Sequence, residues 1–322
     1  MPTEHDPQAA RNVRWIFLGP QGVRAGWGIL LFCVLWFVMF FGLQWVCLPL
    51  LHWEPGRPMP PRAGIVVELC QFIPAVIATC IMAVIERRPA DSYGFQGRFR
   101  IVRLLSGMLW GFVAISLLVF TLWKLGYLHL TRAPQSADSL LRHAMAWGVV
   151  FLLAGFFEES VFRGYIQFTL TRGIGFWWGA LLFAAVFGLT HITNTGESPI
   201  GLASVVGAGL VFSLSLWYTG SLWWAVGFHA TWDWGQSFFY GTPDSGLVSQ
   251  GHFFEAHPAG ALIWSGGATG PEGSVLVLPW LAVMALVMYL WWGRRAQSPF
   301  AGCAWRPKRS LAAPAPPSTE LV

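Results

Sequence analysis

The chain has 322 residues, of which 55% are hydrophobic and only 11% are charged. Soluble domains carry about 25% charged residues, so this composition excludes an ordinary water-soluble globular protein. The formal net charge of +5 reflects arginines that flank apolar segments. We therefore expect a lipid bilayer as the main partner of the protein, and no nucleic acid.

Apolar segments recur along most of the chain. A helix needs about 20 apolar residues to cross roughly 30 Å of hydrocarbon. Eight segments approach that length, at residues 26–50, 64–85, 103–125, 143–165, 175–193, 200–217, 222–240 and 274–293. Backbone groups in lipid must pair within their own segment, which favours helices, and the alternating ten-residue segments of a barrel are not seen. The sequence therefore predicts an all-α, polytopic transmembrane bundle of about eight helices.

The segments between these spans divide the chain. A polar lead precedes the first span, which is expected to stay in the membrane and not to be removed as a signal peptide. The end of the chain is rich in Pro and Ala without apolar periodicity, so we expect disorder there. The predicted regions are a cytoplasmic N-terminal segment (1–25), N-terminal transmembrane helices (26–135), a core region (136–240), an extracytoplasmic loop (241–273), a last transmembrane helix (274–293) and a disordered cytoplasmic tail (294–322).

Lysines and arginines are unequally divided between the two sides of the predicted bundle. Fourteen lie before the first span, between spans two and three, after span four or in the tail, and four lie in the opposite loops. By the positive-inside rule, this distribution puts both termini in the cytoplasm. In a bacterium, the protein would then lie in the plasma (inner) membrane.

Three polar clusters interrupt the spans from the fourth to the seventh. Ionisable side chains inside a span are costly, so each is a candidate functional residue. The structural alternatives are a satisfied ion pair and a hydrogen-bonded core histidine. The candidates are Glu158, Glu159 and Arg163 in FFEESVFRG, His191 in FGLTH, and His229 and Asp233 in FHATWD.

Helical spacing predicts two local pairs among these residues. Positions four apart share a helix face, which places Arg163 beside Glu159 and Asp233 beside His229. Glu158 is rotated by about 100° from Glu159 and is free to face a substrate, a water or an ion. A buried carboxylate and imidazoles can activate water and stabilise an oxyanion. The residue types therefore favour acyl-transfer chemistry.

Straight spans leave one conflict in this interpretation. Glu158 and His229 fall in the cytoplasmic halves of their spans, whereas His191 falls at the far end of its span. A long or tilted fourth helix, a later start of the fifth helix, or a cavity that reaches the middle of the membrane would bring them together.

The order and spacing of the three motifs resemble those of the CPBP family of intramembrane proteases. That family includes the Ras-converting CAAX endopeptidase and the bacterial Abi proteins. The resemblance covers roughly residues 140–240. It implies that Glu158 is the general base and that, with His191, it activates the attacking water.

The resemblance also implies roles for the other members of the motifs. Glu159 and Arg163 would hold the first motif together, and His229 and Asp233 would complete the site and support the oxyanion. Many relatives have Asn where this chain has Asp233. Because an ionised carboxylate only accepts hydrogen bonds, Asp233 is expected to orient His229 or to serve as a ligand instead.

Metal use in this family leaves two alternatives. Zn²⁺ bound by His191, His229 and Glu158 would keep an open position for water, whereas a mechanism based on Glu and His alone needs no metal. The chain has no His-Glu-x-x-His helix. Both alternatives stay open at this point.

The leading hypothesis is an intramembrane endopeptidase that acts on a membrane-embedded or lipid-modified peptide or protein. A transporter or proton relay also places acids and histidines in its spans. It is expected to show two symmetric halves with broken helices, whereas all three clusters lie in spans four to seven. A non-catalytic scaffold, such as a bacteriocin-immunity protein, is the third alternative.

Overall fold

A computed structural model of the chain describes residues 15–19, 22–51, 53–54, 57–294 and 297–306. These residues form ten α-helices, and each of the eight predicted spans contains one of them, so the predicted all-α bundle is confirmed. The helices are α1 Ala25–Cys47, α2 Pro61–Ile85, α3 Arg100–Lys124, α4 Ala137–Glu158, α5 Gln167–Ile174, α6 Phe176–Thr190, α7 Pro199–Thr219, α8 Trp223–Trp234, α9 Leu262–Ser265 and α10 Val277–Met288.

The lengths of the helices make the chain an integral membrane protein. The shorter apolar helices are α6 and the segment Val277–Gly293, and α8 continues as a π-helix over Gly235–Phe239. Among the described residues, five segments are long and apolar enough to cross a membrane: Ala25–Leu51, Pro61–Ile85, Arg100–Lys124, Ala137–Ile174 and Pro199–Thr219.

The fourth span is much longer than predicted. A longer fourth helix removes the conflict between the expected positions of Glu158 and His191 along their spans. It begins at Ala137, where the side chain of Ser136 caps the helix, and it continues through a π-helix and α5 to Ile174. At about 1.5 Å per residue, Glu158 lies roughly 30 Å from one end and 24 Å from the other. A long fourth helix is one of the arrangements that the sequence left open, and it places Glu158 well inside the span instead of close to one end.

Helices α3 and α8 pack with their backbones in close contact. Gly107 and Gly111 of α3 face α8, and Gly227 of α8 faces α3, where an added Cβ would overlap the backbone of the other helix. Small residues four apart allow such approach between membrane helices. This contact holds α8, which carries the third motif, against the N-terminal half of the chain.

Two short antiparallel strand pairs lie outside the main helices. Strands β1 (Leu18–Gly19) and β2 (Gly22–Val23) form one, and β3 (Leu128–Arg132) and β4 (Phe254–Pro258) form the other. The second pair ties the connection between α3 and α4 to the predicted extracytoplasmic loop. That loop is therefore folded over one end of the bundle.

Part of the predicted disordered tail is ordered. The amide of Trp177 donates to the carbonyl oxygen of Ala304 over 2.9 Å, and the ring of Phe300 lies 4.7 Å from that of Phe176. Aromatic contacts of this kind bury apolar surface that Pro and Ala would not supply. Residues 297–306 thus fold onto the start of α6, while residues 1–14 and 307–322 of the predicted terminal segments lie outside the described residues.

Candidate active site

The first motif lies where the long fourth span leaves regular α-helical geometry. Residues Glu159–Ile166 form a π-helix, and Gly164 has a non-helical ψ of −109°. Such wide turns are rare and occur frequently at functional sites. Glu158 ends α4 and Glu159 begins the wider helix, so the paired glutamates lie at the junction of the two geometries.

Glu159 joins two helices through its carboxylate. Arg163 donates from Nη1 to Oε1 of Glu159 over 2.9 Å, and His229 Nδ1 lies 3.1 Å from the same oxygen. The side chain of Glu159 is fully buried and that of Arg163 is 3% exposed. The pair predicted from the four-residue spacing is therefore formed, and it also reaches the third motif on α8.

Aromatic rings enclose the guanidinium of Arg163. Its Cζ lies 4.4 Å from the ring centre of Phe187 and 5.4 Å from that of Phe212. A Cβ added to Gly209 would lie 2.9 Å from Nη2, so the glycine leaves room for the charge. Cations over aromatic faces are stabilised when they are desolvated, which helps to keep Arg163 inside the bundle.

Three carboxyl groups surround the single imidazole of His229. Its Nδ1 faces Glu159, whereas Nε2 lies 3.6 Å from Oε2 of Glu158 and 3.4 Å from Oδ2 of Asp233. The ring stacks on Phe212, with centres 5.3 Å apart. Because an ionised carboxylate only accepts, both nitrogens face acceptors, and the arrangement favours an imidazolium that donates from Nδ1 to Glu159 and from Nε2 towards the other two acids.

One carboxylate oxygen of Glu158 has no hydrogen-bond partner in the described part of the chain. Its Oε2 is buried and accepts no hydrogen bond from the described residues. Buried acceptors are normally paired, so an unpaired carboxylate oxygen next to His229 requires an explanation. An exchangeable donor, such as a water molecule or a substrate amide, supplies one.

Glu158, His191, His229 and Asp233 line one cavity of about 440 Å³. The imidazole of His191 packs edge-on against the ring of Phe187, with ring centres 4.8 Å apart. Nδ1 of His191 donates to the carbonyl oxygen of Phe187 over 2.9 Å. This bond leaves Nε2 of a neutral His191 as an acceptor. The structure therefore gathers the three motifs around one space, with His229 and not His191 as the imidazole in contact with Glu158.

Sequence reasoning missed three acidic residues on the wall of this cavity, namely Glu68, Asp244 and Glu272. Glu68 lies on α2 and interacts electrostatically with Glu158, Asp233 and His229. The sequence could have identified Glu68 as a candidate, because it is an ionisable residue inside an apolar span. The other two lie in the loop after α8, where acids are common and give no such signal.

Asp244 and Glu272 close the loop side of the cavity. Ser237 Oγ donates to Asp244, and the amide and hydroxyl of Ser245 both donate to Glu272. Burial raises the pKa of Asp244 well above its usual range, and the nearby carboxyl groups of Asp233 and Glu272 add to this rise. Burial also raises the pKa of Glu272, although the bonds from Ser245 lower it.

The residues present do not form a ready zinc site. No group of three or more His, Cys, Asp or Glu side chains is positioned to hold a metal ion within the described part of the chain. Both nitrogens of His229 face carboxylates, whereas a zinc ligand must direct one nitrogen to the metal. The set of His191, His229 and Glu158 lines one cavity but would have to rearrange to bind Zn²⁺.

The fold and the site define a polytopic helical membrane protein with acids and imidazoles enclosed among its helices. Residues 140–235 match the sequence model of the family described as Type II CAAX prenyl endopeptidase Rce1-like. The match covers less than a third of the chain, contains all three motifs and confirms the resemblance to the CPBP and CAAX protease family. At the level of the family, it supports a CAAX-type intramembrane protease. A comparison with curated proteins gave no match.

Proposed function

We propose that this protein is an intramembrane endopeptidase in which Glu158 activates water for attack on a peptide bond. The observation that carries the proposal is the buried Oε2 of Glu158, which accepts no hydrogen bond from the described residues and lies 3.6 Å from Nε2 of His229 at the wall of an internal cavity. A general base needs a free lone pair and a second group that handles the transferred proton. This pair of residues provides both.

The neighbouring side chains have separate roles in the proposed reaction. Glu158 accepts a proton from water, and His191 offers Nε2 as a second acceptor within the same cavity. His229, protonated on both nitrogens and held by Glu159 through Nδ1, donates a hydrogen bond from Nε2 to the oxyanion that forms when the water oxygen bonds to the carbonyl carbon. Its Nε2 proton passes to the leaving amine as the C–N bond breaks, and the proton held by Glu158 then returns to Nε2 across the 3.6 Å between them. Asp233 orients His229, in agreement with its distance of 3.4 Å from Nε2 and with its inability to donate when ionised.

The substrate is proposed to be membrane-embedded or lipid-modified. The cavity is lined by side chains from α1, α2, α4, α6, α7, α8 and α10, so it lies within the helical bundle. A peptide that is already in the bilayer reaches such a site without a large cost of transfer from water. If the source organism is a bacterium, the reaction takes place in the inner membrane.

The test is the loss of cleavage in the variant Glu158→Gln, which keeps the size of the side chain but removes the base. We expect cleavage to fall by about 10²- to 10⁴-fold, as measured by membrane proteomics of cells that express either form. Glu54→Gln, which changes an exposed acid paired with Arg57, is the matched control. Normal cleavage by Glu158→Gln would show that Glu158 is not the base, whereas normal cellular function of Glu158→Gln would favour a non-catalytic scaffold.

Metal dependence is tested separately with the purified protein. Because His229 is bound on both sides by carboxylates, we expect cleavage to persist after dialysis against a zinc chelator. A loss of activity that added Zn²⁺ restores would show that His191, His229 and Glu158 rearrange into a metal site.

A further inference from the structure

A second buried polar cluster lies at the other end of the π-helix that carries the first motif. Tyr165 is fully buried near the end of that helix, and its hydroxyl donates to Oε1 of Glu86 over 2.8 Å. Glu86 directly follows α2, and its side chain is 4% exposed. Its Oε2 lies 2.7 Å from Nη2 of Arg172 on α5 and 3.4 Å from Nε of Arg88. These four residues lie outside the lining of the cavity that holds Glu158.

The packing around Tyr165 fixes the direction of its side chain. Its ring stacks on that of Phe32 in α1, with centres 4.6 Å apart, and meets the ring of Tyr93 edge-on at 5.1 Å. A Cβ added to Gly28 of α1 would lie 2.9 Å from the hydroxyl oxygen, so the glycine leaves room for the bond to Glu86. Hydrogen bonds to a charged partner are stronger than neutral ones. Tyr165 is therefore held against both α1 and the end of α2.

The carboxylate of Glu86 spans the point where the π-helix passes into α5. Tyr165 lies before that point and Arg172 lies after it, since α5 begins at Gln167. Gly164, directly before Tyr165, has the non-helical ψ of −109°. Because regular helical geometry is interrupted there, the helix by itself does not fix the register of the residues on its two sides. The contacts with Glu86 are made outside the helix and supply that register.

The catalytic end of the π-helix depends on the same register. Arg163 lies two residues before Tyr165, and it holds Glu159, which in turn contacts His229. A π-helix is wider than an α-helix and is rarely stable without outside support. If the wide turn contracted by one residue, the residues before it would rotate by about 100° relative to α5. Glu158 and Glu159 would then no longer face His229 as they do here.

We propose that Glu86 and Tyr165 are positioning residues of this protease, whose hydrogen bond fixes the register of the π-helix and thereby the direction in which Glu158 and Glu159 face. The inference rests on the proposed function and adds residues outside the three motifs, of which Glu86 also lies outside the segment 140–235 that matches the family. Neither side chain touches the reacting atoms. A misdirected base lowers the rate of the chemical step more than it weakens substrate binding, so the effect belongs to kcat and not to KM.

The test is Tyr165→Phe, which removes one hydroxyl and keeps the buried ring. The assay uses the purified full-length chain in detergent micelles and a synthetic peptide that spans a cleavage site identified by the membrane proteomics. We expect kcat to fall about 10- to 100-fold and KM to change by less than about twofold. Tyr93→Phe is the matched control, because Tyr93 is 1% exposed and its hydroxyl has no hydrogen-bond partner among the described residues. An unchanged kcat in Tyr165→Phe, an equal fall in both variants, or a loss confined to KM would overturn the inference.

Variants of the acceptor tie the effect to this one bond. Glu86→Leu should lower kcat at least as much as Tyr165→Phe, since it also removes the partner of Arg172. Glu86→Gln should lose less than Glu86→Leu, because its amide oxygen still accepts from the tyrosine hydroxyl. The double variant Tyr165→Phe with Glu86→Leu should lose no more than Glu86→Leu alone, because both changes remove the same bond. Losses that add in the double variant would show that the two residues act separately and would contradict the proposal.

The inference and the proposed function fail in different ways. If Glu158→Gln cleaves as fast as the wild type, the proposed base is wrong. Amide hydrogen exchange, measured by mass spectrometry, then decides the role of the bond without any cleavage. We expect the amides of residues 159–166 to exchange faster in Tyr165→Phe than in the wild type and in Tyr93→Phe. Equal exchange in the three proteins would overturn the inference, even if cleavage were lost.

Discussion

Arg163 and Glu159 illustrate how much one residue pair organises this site. Their side chains are almost fully buried and lie 2.9 Å apart, and the same Glu159 oxygen faces His229. Removing one partner of a buried ion pair leaves an uncompensated charge, which costs far more than the pair itself contributes. The pair is thus both a packing element and the support of the imidazole.

We expect Arg163→Ala to lower the free energy of unfolding by about 3–5 kcal/mol and to abolish cleavage, because Glu159 and His229 lose their anchor. Unfolding in mixed detergent micelles measures the change. Arg142→Ala, which breaks an exposed pair with Asp138 on the same helical span, should cost at most about 1 kcal/mol. A loss of similar size in both variants would show that burial does not determine the strength of the pair.

At the scale of elements, α8 is positioned by its contact with α3. Its residues His229 and Asp233 reach the cavity only because the two helices approach closely at three glycines, of which Gly107 faces Trp224 and Phe228. A side chain at this crossing would separate the helices. The polar residues of the third motif would then move away from Glu158.

We expect Gly107→Ala to destabilise the protein by about 1–3 kcal/mol and to reduce cleavage, because the new Cβ would overlap the carbonyl oxygen of Trp224 and lie 3.0 Å from the amide nitrogen of Phe228. Thermal unfolding and the cleavage rate are the measurements. Gly42→Ala on α1 is the control, since nothing lies within 4 Å of its added Cβ. Equal stability of the two variants would contradict the proposed role of the α3–α8 contact.

At the scale of the whole molecule, the connections between helices sort into two ends. The loop after α2 meets the start of α8, where the amide of Leu222 donates to Gly94, and residues 297–306 meet the start of α6. At the other end, β3 pairs with β4 and the amide of Met59 donates to Val248. The arginine-rich connections therefore share one end of the bundle, as the count of charges predicted.

Which end faces the cytoplasm stays a prediction. If both termini are cytoplasmic, a fluorescent protein fused after Val322 should fluoresce in bacterial cells, and alkaline phosphatase fused there should be inactive. Alkaline phosphatase inserted after Gln250, in the loop at the opposite end, should be active. The reverse pattern would show that the positive-inside rule fails for this chain.

The sequence by itself determined the helical bundle, the local pairs and the resemblance to a protease family. These properties depend on apolar length, on the four-residue spacing of Glu159 and Arg163, and on motifs that are contiguous in the chain. Tertiary structure decided the position of Glu158 along the fourth span, the proximity of Glu158 to His229, and the presence of Glu68 in the cavity. Those properties depend on how far a helix continues past its apolar residues and on which helices pack side by side. Neither can be read from the spacing of apolar residues within one segment.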